Sequence, residues 1–319
     1  MTAVQPDLLR HVVLAATLAP SVHNTQPWRF IAGDDRLELH ADLARQLGVL
    51  DPDGRQLHLS CGAALLHARV SARALGLDVT VELLPDPTEP THLATLHLSP
   101  GRAAGEDDIA LAGAILSRHT HRGGFDGRRL PDALVERLRL DVEAEGAILR
   151  PVISPDDRIE LKVLLSRADK QERADDAYAR ELASWVRDGG PDGVPTDALN
   201  LVDGSTVAQR DFRLGERPHP DAPPVDDPDL LVVATHDDGP RSWLVAGQAL
   251  ALLLLRAADH GVLAQPLGQV TDAVGNRLGL RVALGMLALP QLVLRVGYAT
   301  GASVTPRRPL EDVLPAVAG

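Results

Sequence analysis

Cysteine is nearly absent: Cys61 is the single one in 319 residues. That excludes an internal disulfide framework and a thiolate metal centre, and its setting, "LHLSCGAALLHA", reads as a helix interior. A reducing cytoplasm is the compartment that such usage fits. Positive charge is also scarce. Lys and Arg number 32 against 44 Asp and Glu, a net charge of −12, which leaves no broad basic surface for a nucleic-acid backbone. Aromatic residues make up 3%, too few to identify the apolar wall that would select a substrate. The longest apolar run, "LVAGQALALLLL" at 244–255, stops at Arg256; it is too short to span a bilayer and reads as a core helix. A GxGxxG turn, a P-loop, a GxSxG elbow and an HExxH helix are all missing.

What is there suffices for a core. Hydrophobic residues make up 45%, and a prior of roughly 150 residues per domain suggests about two domains. In "LLRHVVLAATLAPS", Asp7 and His11 spoil the pattern of a cleaved secretory signal. Pro6 and Asp7 suit a first helical turn, Leu8, Val12, Ala15 and Ala19 recur at helical spacing, and Pro20 ends the helix. "WRFIA" and "RLELHAD" flank "GDD" as a hairpin. A turn at 51–56 leads into a helix that stops near Gly76, and strands are expected at 77–84 and 92–99. Helices from Glu106 to about Ser117 and from Pro131 precede the strand "AILRPVI" and a long polar helix between 155 and 187. No regular element is evident from 188 to 228, whose seven prolines and five glycines read as a lid, a binding loop or a linker. The strand "DLLVVATH" then precedes a helix from about Arg241 to His260, a further helix to about Leu287, and the strand "QLVLRVGY". Hairpins mixed irregularly with helices predict an α+β fold rather than a doubly wound parallel sheet.

Three polar stretches carry candidate chemistry. In "RHTHR", an extended backbone would put Arg118, Thr120 and Arg122 on one face, two guanidiniums and a hydroxyl suited to a phosphate. The competing reading is cations placed at the C-terminal end of the preceding helix, where the dipole favours them. His119 and His121 lack a third ligand nearby, so no metal site is expected. Arg307 and Arg308 in "TPRRPL" form a second basic spot, alternatively a solvated tail. In "APSVHNTQPWRF", Ser21, His23, Asn24 and Gln26 offer donors and acceptors on a loop fenced by Pro20 and Pro27, which suits the polar edge of a heterocycle; the alternative is a capped connection between helix and hairpin.

Together these stretches resemble the FMN-dependent nitroreductase superfamily. Arg118, Thr120 and Arg122 are similar to its Arg-x-Ser-x-Arg segment, with threonine replacing serine. Pro20, Ser21, Val22, His23, Asn24, Gln26, Pro27 and Trp28 are similar to its Pro-Ser-x-x-Asn-x-Gln-Pro-Trp loop. "AQPLGQ", with Gln265, Pro266, Leu267 and Gly268, looks like the turn beside flavin N5, and Arg307 with Arg308 looks like the basic tail. The order departs from the family, because here the Pro-Ser loop precedes the arginine segment. The layout resembles the Acg-like actinobacterial branch.

The resemblance implies a nitroreductase-like fold with two related halves in one chain, an intramolecular pseudo-dimer of mixed or antiparallel sheets flanked by helices. The halves would be 1–104, truncated and holding the flavin-ring loop, and 105–319, holding phosphate and N5 contacts, with 188–228 as lid or long loop. FMN would be the cofactor, with phosphate on Arg118, Thr120, Arg307 and Arg308, Arg122 at the phosphate or the N1/O2 edge, Ser21 and Asn24 on the ring, and backbone near Gly268 at N5. The acidic residue that many nitroreductases carry in that turn is missing. Implied functions are two-electron transfer from NAD(P)H to a nitroaromatic or quinone without a separate catalytic side chain, or storage of FMN under the lid. Partners would be a small-molecule donor and acceptor, without nucleic acid or membrane, and the chain would be a monomer in the cytoplasm.

Overall fold

In a computed structural model of the chain, residues 5–199, 207–210, 212, 227–301 and 304–315 are described. Helix α1 (Pro6–Thr17) opens on a proline, whose missing N–H is harmless in a first turn, and buries Leu9, Val12, Val13 and Ala16. After the 20–27 loop, β1 (Trp28–Ala32) and β2 (Arg36–Ala41) pair as the expected hairpin. Then follow α2 (Arg55–Ala74), β3 (Leu77–Leu83) and β4 (His92–Pro100), which complete an antiparallel sheet in the order β1-β2-β4-β3.

A second set begins with α3 (Glu106–Ser117), α4 (Asp132–Ala144) and β5 (Ile148–Pro151). An excursion follows: α5 (Pro155–Arg173), α6 (Asp176–Ser184), and the short parallel pair β6 (Val186–Arg187) and β7 (Val194–Pro195). The main path resumes with β8 (Asp229–Thr235), α7 (Pro240–Asp259), β9 (Leu263–Pro266), α8 (Gln269–Asp272), α9 (Val274–Ala283), β10 (Leu289–Gly297) and α10 (Leu310–Val313). Its sheet is antiparallel in the order β5-β8-β10-β9. The two sheets therefore share one plan. In each, a helix leads into an edge strand, and a 20-residue helix joins the second strand in sequence to the opposite edge.

The sheets differ in what covers them. The second has apolar clusters on both faces, Leu231, Val233 and Leu294 against α4 and α7 and Leu230, Val232 and Val293 against α5 and α9. Two-sided burial is why β8 and β10 read as continuous apolar runs. The first buries one face, through Phe30, Leu37, Leu39 and Leu96, against α1 and α2. Its other face presents Arg29, Arg36, Asp78, Thr80, Glu82 and His97 to solvent, so β3 alternates strictly. Helix α7 has the length and apolarity to cross a membrane but is mostly buried in the core between the two sheets.

Three expectations need correction. The polar helix across 155–187 is two helices, because the Asp175 carboxylate accepts the backbone N–H groups of Ala177 and Tyr178 and starts α6 afresh. The helix expected to reach Leu287 is split into α8 and α9 and ends at Ala283, with Gly285 at φ 58° just beyond. The 188–228 stretch contains β7 and a 3-10 turn at Thr196–Ala198; residues 200–206, 211 and 213–226 of that expected lid lie outside the described residues.

Candidate functional site

The connection between α1 and β1 is held in a conformation that side chains ordinarily avoid. His23, Asn24 and Gln26 have φ of 47°, 55° and 50°, a left-handed region that costs each of them of order 1–3 kcal/mol and tends to persist at binding sites. Hydrogen bonds hold it there. The Ser21 hydroxyl accepts from the Gln26 backbone N–H at 2.9 Å, and the Ser60 hydroxyl of α2 accepts from Val22 N–H at 3.2 Å.

This loop forms one wall of a cleft. Pro20, Ser21, Val22 and His23 line it from the first sheet's side, Thr120 and Arg122 from the α3–α4 connection, and Gln265, Pro266 and Gly268 from the end of β9. The arginine segment reaches β9 because Thr120 pairs with Ala264 in a parallel bridge and His121 N–H donates to the Ala264 carbonyl at 3.0 Å. A Cβ on Gly268 would lie 2.9 Å from an Asp272 carboxylate oxygen, so a larger residue there would have to push that carboxylate aside.

The remaining predicted residues do not line the cleft. The Asn24 amide donates to the carbonyls of Gly193 (2.9 Å) and Pro306 (3.1 Å), and its oxygen accepts from Arg307 Nη1 at 3.2 Å. Gln26 donates to the Pro191 carbonyl at 2.9 Å and accepts from Arg308 N–H at 2.8 Å. Both amides thus tie the loop to the 191–193 turn and the C-terminal tail. Trp28 is fully buried in the core of the first sheet, and Leu267 is buried with the second sheet. Arg308 is engaged by the carbonyls of Gln26, Trp28 and Asp312. Arg118 and Arg307 converge on the C-terminal end of α1, each donating to the Leu18 carbonyl, at 3.2 and 3.1 Å. Arg307 is therefore a fastened residue rather than a solvated tail, and Arg118 is not on the cleft wall that Thr120 and Arg122 share.

Electrostatically the site favours an anion. Burial pushes Arg118 down to about 9, with Arg307 adding repulsion, and pushes Arg122 and Arg307 each down to about 10. An arginine stays charged in practice, so these shifts measure the penalty of burying cations that lack counter-ions. The nitrogens Arg118 Nε, Arg122 Nη1 and Arg307 Nε are buried without a hydrogen-bond partner. Burial, followed by repulsion from Arg210 and Arg122, holds His23 well below its usual range, so its ring is neutral at pH 7.

Several cleft residues escaped the sequence reading. Gln56, Leu59 and Ser60 come from α2, Leu250 from α7 and Leu292 from β10; each sits in a periodic helix or strand that reads as ordinary core. Arg210 and Phe212 come from the 188–228 stretch. Phe212 meets the His23 ring edge-on at 5.5 Å, and the Arg122 guanidinium lies 5.4 Å from its centroid. Arg210 bonds Glu172 at 2.7 Å and Asp272 at 2.5 Å. Burial alone would lower Arg210, but Glu172, Tyr178 and Asp272 hold it well above its usual range. Asp272 also accepts from Gln56 at 2.5 Å, so a carboxylate missing from the 264–269 turn stands in the cleft from the next helix.

No family model matches the chain. Two proteins of Mycobacterium tuberculosis are similar to it over nearly their whole lengths. "Putative NAD(P)H nitroreductase Rv3131" is 34% identical over 97% of this chain and 91% of its own. "Putative NAD(P)H nitroreductase acg" is 34% identical over 98% and 96%. A solved structure from Anabaena variabilis, described as "a putative nitroreductase", matches with a TM-score of 0.58 at 11% identity, covering 92% of this chain and 88% of that one, and has the same fold. At this identity and coverage the chain belongs to the nitroreductase-like family that includes Rv3131 and Acg.

Proposed function

We propose that the chain is an FMN-binding oxidoreductase that moves two electrons from NAD(P)H to a nitroaromatic or quinone-like acceptor. The observation that carries this reading is Arg122, a cation in the cleft wall with a buried, unpartnered guanidinium nitrogen, across from the strained His23 loop. The donor set fits a flavin mononucleotide. Arg122, Thr120 and Ser21, which line the cleft, suit the polar edge of the ring, while Arg118 and Arg307, behind that wall at the end of α1 and each with an orphaned Nε, suit the phosphate once their bonds to the Leu18 carbonyl are exchanged for it. When bound, FMN supplies reversible two-electron redox chemistry. Arg122 favours the negative charge that reduction adds, without reorganising. His23, held neutral, adds no competing charge, and the apolar groups of Val22, Leu59, Leu250 and Leu292 exclude water. The names of the two relatives suggest the nicotinamide donor. Catalysis would rest on no side-chain acid, base or nucleophile.

The shared plan of the two sheets supports a division into related halves, 1–104 and 105–319, whose contact replaces a subunit interface. A monomer by size-exclusion chromatography is the expected result. The second reading, FMN storage with little turnover, is favoured by Arg210 and Phe212, which the 188–228 stretch sends into the cleft. One anaerobic experiment separates the readings. Rapid loss of the flavin band on adding NADPH supports turnover; a yellow protein that dithionite bleaches and NADPH does not supports storage; a protein that binds no FMN removes both.

A further inference from the structure

The open face of the first sheet carries a cluster unconnected with the cleft. Glu38 and His40 lie two residues apart on β2 and so share a face. Regular pairing would continue from Leu39 opposite Ala94 to His40 opposite Leu93. Instead the register slips, and His40 faces His92. The extra residue, Leu93, is fully buried in the core, and the slip turns His92 onto the same outer face as His40. Bulges commonly re-aim a side chain in this way where a site is built.

We propose that Glu38, His40 and His92 form a binding site for Zn2+. One ligand atom from each lies within 4.8 Å of the other two. Two imidazoles and a carboxylate are a donor set suited to zinc, with a solvent molecule as the fourth ligand. His40 is buried, with 4% of its side chain exposed, and its Nδ1 has no hydrogen-bond partner. Its Nε2 is 3.3 Å from Glu38, and Glu89 stands 3.6 Å from Nδ1. Glu89 is beyond hydrogen-bond reach there; a small closure onto Nδ1 would fix a ring that ligates through Nε2 and raise its basicity. Thr95 does the equivalent for His92, with its hydroxyl 2.9 Å from Nε2. The imidazoles are stacked, with centroids 4.5 Å apart and planes at 15°. Because a ligating ring must hold the metal in its own plane, binding turns His92, the less buried of the two, out of the stack. Arg36 lies 3.1 Å from the second oxygen of Glu38, so one carboxylate oxygen remains for the ion.

The test uses the untagged full-length protein with Co2+ as a visible probe and Zn2+ as competitor. The expected result is a ligand-field spectrum at one Co2+ per chain, displaced by Zn2+, with affinity at least about tenfold weaker in both His92→Ala and Glu38→Gln. His97→Ala, exposed further along β4, leaves it unchanged. Circular dichroism confirms folding, and Glu38→Gln, which keeps the shape of the side chain, stands in if His92→Ala does not fold. Absence of a spectrum, or a spectrum that survives these substitutions, overturns the site.

Discussion

Gly62 of α2 and Gly247 of α7 face each other where the two long helices cross. A Cβ built on either would come within about 3 Å of the other's Cα, and within 2.3 Å and 2.1 Å of the Leu244 and Leu59 carbonyl oxygens respectively. Among the described elements these two helices pack most extensively, and they bring the two sheets together. The cleft depends on that approach, since Leu59 and Ser60 enter it from α2 and Leu250 from α7.

Gly62→Ala or Gly247→Ala is therefore expected to cost at least ~2 kcal/mol, because the obstructing atoms are backbone and the helices must separate. Gly113→Ala on α3 meets nothing within 4 Å and should gain about 0.5–1 kcal/mol by helix propensity. Urea unfolding curves for the three variants measure the contrast.

Arg122→Ala should act in opposite directions on binding and on folding. Losing a charge-assisted contact weakens FMN binding by about tenfold or more. Removing a cation without a counter-ion stabilises the flavin-free chain by about 1 kcal/mol, a figure kept small because Arg122 is only partly buried. Flavin fluorescence titration and thermal melts read the two effects. Weakened binding without a raised melting temperature would argue for a plain structural role.

Phe212→Ala should increase the rate of NADPH oxidation severalfold with unchanged flavin content if the 188–228 stretch shields the cleft. Stopped-flow mixing without oxygen gives the rate. An unchanged rate would leave Phe212 as packing against His23.

Asp51 gives a pH signature. Burial raises its carboxyl to about 6, against the pull of the Gln56 and Leu57 backbone N–H groups that it accepts. The folded state then binds this proton more tightly than the unfolded chain, so the group's contribution to stability falls as pH rises from about 4 to about 6, by about 2–3 kcal/mol. Asp51→Asn should flatten that slope in chemical denaturation, whatever it does to the absolute level.

The sequence by itself determined the local elements and the chemistry of the loops. Proline at 6 and 20, the "GDD" turn and strict alternation in "LDVTVEL" set α1, the hairpin and β3, because these signals act within a few residues. It also identified the Pro20–His23, Thr120–Arg122 and Gln265–Gly268 segments, which the fold brings to one cleft. It missed the break at Asp175, since one carboxylate decided between a continued helix and a new cap. Only the tertiary structure decided that Asn24 and Gln26 would be consumed by the 191–193 turn and the tail. It also decided that Arg118 would turn to the end of α1, and that Glu172, Arg210 and Asp272 would meet. Those outcomes depend on partners up to 283 residues apart. A side chain with several possible partners takes the one that packing delivers, and packing is set by the helices crossing at Gly62 and Gly247 rather than by any local pattern.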